Sequence, residues 1–109
     1  MHNYVPDRWK IFTLYENGEP KLHRLIAGWV GGWASANHWK INSGISEIIE
    51  TPSYYLITGF SGSTYRCYKE SEGFTMLSQG IYNRLASGAD SKYQIKLVEG
   101  VPAVIYGRD

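Results

Sequence analysis

Cys67 with either His23 or His38 makes the one Cys–His combination in the chain, the pairing in which an imidazole activates a thiol for nucleophilic attack. Its context argues otherwise. A reactive thiolate is favoured at a helix N-terminus or in a cationic pocket, whereas Cys67 lies between Arg66 and Tyr68 in a run that reads as a strand. Alternation along a strand puts Cys67 on the same face as Tyr65, so a small buried thiol is expected. His2, His23 and His38 have neither a histidine two or four residues away nor a carboxylate at ligand spacing, and no metal site is expected. With a single cysteine, no disulfide within the chain can form.

The carboxylates are spread thinly. Glu47 with Glu50, and Glu70 with Glu72, are the local pairs, and Glu70 and Glu72 lie in a polar connector where a solvated role is expected. The stretch Gly28-Trp29-Val30-Gly31-Gly32 lacks the Lys and Ser or Thr that complete a phosphate-binding loop. Ser61-Gly62-Ser63-Thr64 would make an anion nest, but apolar strand residues flank it and favour a hairpin turn. No catalytic residue, metal ligand or cofactor is expected.

Recognition is better supported than catalysis. Trp29, Trp33 and Trp39 crowd a glycine-rich region; exposed, they would offer flat rings to a partner, and buried, they would cap one end of a sheet core. Tyr65, Arg66, Tyr68 and Lys69 interleave aromatic and basic side chains, the residue types that hold single-stranded nucleic acid.

These residues need elements to position them. Residues 9–15 suit a strand, Asn17-Gly18 a two-residue hairpin turn, and residues 21–27 the returning strand. Residues 28–37 predict a loop or bulged strand, and residues 39–41 a short strand. In residues 45–50, Ile45 and Ile49 alternate with Glu47, which predicts one exposed face. Residues 54–60 and 65–69 are expected to form a further hairpin about Ser61-Gly62-Ser63. Leu77, Ile81 and Leu85 then recur at helical spacing, with Thr75 as N-cap and Gly88 as C′ residue. Residues 92–98 alternate again, and Glu99-Gly100 turns into an edge strand over residues 101–106 that contains Pro102.

The totals agree with that pattern. At 109 residues, 43% hydrophobic and 19% charged, the chain suits one small globular domain over residues 1–109. A net charge of +1, balanced between the halves, argues against duplex DNA. Early charges at Asp7, Arg8 and Lys10 exclude an apolar leader there, and residues 25–34 are too few and too glycine-rich to span a bilayer. A reduced cytoplasmic setting follows.

The expected fold is α+β: a mainly antiparallel, bent sheet or partly open small barrel, with one helix near residues 75–87. The expected function is a non-enzymatic module acting through protein–protein contact at Trp29, Trp33 and Trp39, such as a small inhibitor or accessory factor of a phage or mobile element. Single-stranded nucleic-acid binding through Tyr65, Arg66, Tyr68 and Lys69 is the alternative, and a small hydrolase the third reading.

Overall fold

The structure is a computed structural model, and it describes residues 2–31, 38–99 and 101. Among the described residues, eight strands form two four-stranded sheets, with one α-helix and a single 3-10 turn over Lys69–Ser71. The first sheet has the order β1 (Asn3–Tyr4), β7 (Thr64–Tyr68), β6 (Tyr54–Gly59), β5 (Ile45–Glu50). The second has the order β4 (His38–Ile41), β3 (Glu19–Trp29), β2 (Arg8–Glu16), β8 (Tyr93–Val98). All pairings are antiparallel except β1 with β7. The expected α+β class is therefore realised as two sheets, and neither closes into a barrel.

The second sheet is the middle layer. Trp9, Ile11, Leu25 and Ala27 turn one face of it toward Ile45, Ile48, Ile57, Tyr65 and Cys67 of the first sheet. Phe12 and Ile26 turn the other face toward Tyr82 of α1 (Met76–Ser87), with Phe74, Ile81 and Ile95 around them. Strand alternation makes this possible, because successive side chains of β2 and β3 leave on opposite faces. Trp9 also ties the sheets together: its Nε1–H donates to the Tyr68 carbonyl at 2.7 Å, and its ring meets Tyr55 edge-on.

The β2–β3 turn is as expected. Asn17 and Gly18 have φ of 53° and 81°, the left-handed pair of a type I′ hairpin. Asn42 then carries the chain from one sheet to the other. Its N–H donates to the Leu25 carbonyl at 3.0 Å, and its Oδ1 accepts from the Leu25 N–H at 2.9 Å. This extends β3's pairing one residue beyond β4 before the chain turns into β5.

Three local expectations are corrected. The register shifts between Ile45 and Glu47, so Ile48 turns inward and Ile49 stands exposed, the reverse of a simple alternation from Ile45. The helix buries Ser78 and Tyr82 rather than the Leu77–Ile81–Leu85 stripe, and Leu85 is exposed. Gly88 closes the helix in the right-handed region at φ −86°, not as a left-handed C′ residue. Thr75 is the N-cap as expected: its hydroxyl accepts from the Ser78 N–H at 3.0 Å, and the Ser78 hydroxyl accepts from the Thr75 N–H at 2.9 Å. The turn at Gly100 and the strand expected over residues 101–106 lie outside the described residues, apart from Val101.

Candidate functional site

The tryptophans do not converge. Trp29 is half-buried against the inter-sheet core, where its ring stacks on His38 at 4.7 Å and 9° and its Nε1–H donates to the Val5 carbonyl at 2.9 Å. Trp39 pairs with Gly28, on the face of the second sheet that carries α1, and is 42% exposed. Trp29 and Trp39 thus point to opposite faces of one sheet. Trp33 lies outside the described residues.

The aromatic–basic quartet is also divided. Tyr65 is in the core at 1% exposure, stacked on Tyr4 at 4.9 Å. Burial first, then the neighbouring Tyr4 and Cys67, pushes its hydroxyl up to about 12. Lys69 reaches sideways to Glu50, Nζ to Oε2 2.6 Å, and lies over the Tyr55 ring. Arg66 and Tyr68 alone of the four face outward on the first sheet.

A residue that the sequence reading passed over joins them there. Tyr54 lies directly opposite Tyr68, and Leu56 directly opposite Arg66. The Arg66 guanidinium carbon sits 4.9 Å from the Tyr54 ring centroid, and the two tyrosine rings meet at 5.5 Å and 67°. The Tyr68 side chain first, and then Tyr54, raise the Arg66 pKa above its ordinary value. A turn centred on Ser61 sets Thr58 opposite Thr64, and steps of two from there reach Tyr54 and Tyr68.

The face extends across the sheet. Ile49 pairs with Leu56 and continues the row from Arg66 to the β5 edge. On the other side, Val5, Asn3 and Thr64 line a shallow groove with Arg66 and Leu56. Glu47, opposite Thr58, is the acidic residue of the face. Antiparallel sheets commonly cover one face and leave the other in water; among the described residues no element packs over this one.

The catalytic candidates are placed elsewhere. Cys67 is fully buried, its Sγ 3.8 Å from the Tyr65 carbonyl, and burial pushes its thiol far up. His23 hydrogen-bonds Thr13 through Nδ1 at 2.8 Å, and His38 stacks on Trp29, so neither serves the thiol. Glu72 bonds the buried Lys10 at 2.8 Å. Among the described residues, no three His, Cys, Asp or Glu side chains gather to hold a metal ion, and no helix is long and apolar enough to cross a membrane. Comparison with protein-family models, with curated proteins and with solved structures finds no match.

Proposed function

We propose that this protein is a binding module that docks a protein partner on the outward face of its first sheet. The observation that carries the reading is the Tyr54–Arg66–Tyr68 cluster, with Leu56 and Ile49 beside it. Tyrosine and arginine are over-represented among the residues that dominate interface energies. Here their geometry is set before binding, because each ring or guanidinium already has a neighbour that holds it. A lone buried thiol suits a reduced cytoplasmic setting, and a small stoichiometric inhibitor or accessory factor fits polar clusters that, among the described residues, form no reactive centre.

The position of Tyr65 weakens the nucleic-acid alternative, since a stacking ring in the core cannot meet a base. Lys69 bonded to Glu50 leaves Arg66 as the cation of the cluster, and a groove that follows a phosphate backbone needs several.

The test is affinity capture from source cells with tagged wild-type protein and the variants Tyr54→Ala, Arg66→Ala and Trp39→Ala. Loss of the same bound protein in the first two, with Trp39→Ala and the melting temperature unaffected, is the expected result. Equal capture by all three overturns it. Submicromolar, salt-dependent binding of a labelled oligothymidylate that vanishes in Arg66→Ala would replace it with the nucleic-acid reading.

A further inference from the structure

We infer that the partner segment received by this face carries a carboxylate, from an aspartate or glutamate set among apolar side chains, and that Arg66 is its seat. The inference rests on the docking reading above and specifies the chemistry of the partner.

Arg66 has five N–H donors in a planar fork. The Tyr54 ring centroid lies 4.9 Å from the guanidinium carbon, and the Tyr68 ring stands edge-on to Tyr54 at 5.5 Å. Among the described residues, none of the ion pairs involves Arg66. The exposed part of the fork therefore faces outward with its charge unmatched, and a carboxylate is the group whose two oxygens meet it in parallel.

The surroundings select one carboxylate over a polyanion. Leu56 and Val5 lie beside Arg66, Ile49 continues the row beyond Leu56, and Val5 and Ile49 are about half exposed, at 53% and 49%. Covering them with apolar side chains excludes water from the ion pair and strengthens it. Glu47 lies two strands and one side-chain row from Arg66, roughly 12 Å at ordinary sheet spacings. One positive and one negative group on the same face give little net field, so a phosphate chain gains nothing from long-range attraction. A single acidic side chain reads the local geometry and is indifferent to that balance. The guanidinium is also the more weakly hydrated cation and stacks on rings as it does here, which makes it better suited than lysine to be covered by a partner.

The test is a display selection of random twelve-residue peptides on the immobilised full chain, repeated on Arg66→Met and Arg66→Lys. Enriched peptides are resynthesised and titrated while backbone amide shifts are followed. The expected result is enrichment of Asp or Glu flanked by apolar residues. Amide shifts should centre on residues 54, 56, 66 and 68, and affinity should fall at least tenfold in both variants or when the acid is replaced by its amide. Peptides that bind this face without an acid, and equally well to Arg66→Met, overturn the inference while leaving the docking reading standing. Shifts confined to another surface, or no enrichment at all, overturn both. A phosphoserine version that binds more than tenfold tighter than the carboxylate version also overturns it, in favour of a phosphorylated partner. Both variants are checked for an unchanged amide spectrum away from the face, so that loss of binding is read at Arg66 and not through unfolding.

Discussion

Gly28 on β3 and Thr75 at the head of α1 are in such close approach that a Cβ on Gly28 would lie 2.7 Å from the Thr75 hydroxyl oxygen and 3.0 Å from that of Ser78. Those two hydroxyls are the reciprocal cap of the helix. Thr75 cannot rotate away without uncapping Ser78, and both side chains are buried. Gly28→Ala should therefore destabilise the protein by about 1–3 kcal/mol, as overpacking and a strained cap combine. Urea unfolding measures this, and an unchanged midpoint would mean that the helix shifts outward at no cost.

The hairpin tip makes a different kind of demand. At Gly18 a Cβ would meet nothing within 4 Å, yet φ is 81°. Gly18→Val should cost roughly 1–2 kcal/mol through backbone conformation alone. The Asn17 N–H also donates to the Lys92 carbonyl at 2.7 Å. A distorted tip should thus disturb amide signals at the start of β8 as well as in β2 and β3. A perturbation confined to residues 16–19 would contradict that coupling.

What was legible in the sequence follows from the range of the interactions involved. Asn17-Gly18, Thr75 and the Ser61-Gly62-Ser63 turn act through neighbours a few residues away, and their residue types announce them. The division into two sheets rests on contacts such as Trp9 with Tyr68, which no local pattern encodes. Alternation in β5 misleads because the extra residue at the Ile45–Glu47 bulge inverts the faces after it. The helix buries Ser78 rather than its neighbour Leu77 because it lies against Gly28, where only a small side chain fits. At the candidate site, Arg66 and Tyr68 were visible as an aromatic–basic run. Tyr54 was missed because it joins them only through the cross-strand register.

His23 should give the stability a dependence on pH. Burial lowers its pKa below the ordinary 6.5, so the unfolded chain takes up a proton before the folded protein does. Its contribution is complete above pH 6.5 and is lost progressively as the pH falls from there toward the folded value. His23→Gln should flatten this part of the curve of melting temperature against pH while keeping a hydrogen-bonding partner for Thr13. The effect is small because the ring is only half-buried. An identical slope in the variant would show that another group is responsible.

Trp29 and Trp39 should separate cleanly on substitution. Trp29→Ala removes ring contacts with Tyr4 and His38 and the hydrogen bond to Val5, and a loss of about 2–4 kcal/mol is expected, below the full cost of a wholly buried ring. Trp39→Ala, with its ring more open to solvent, should cost about 1 kcal/mol or less. Acrylamide should quench Trp39 more strongly than Trp29 in variants that retain one or the other. A larger loss at Trp39 would reverse the assignment.

The middle position of the second sheet has a consequence for how the chain tolerates change. Residues 9–13 of β2 and 25–28 of β3 are buried without interruption, whereas β7 alternates buried and open positions. In a saturation scan, β7 should show intolerant sites at every second residue. β2 and β3 should each show a solid intolerant block, including Lys10 and Thr13, whose polar side chains would pass elsewhere as surface. Drift of the sequence is then channelled toward the outer sheet and the exposed side of the helix, and a proposed docking face on the outer sheet lies where new residues are most easily accepted.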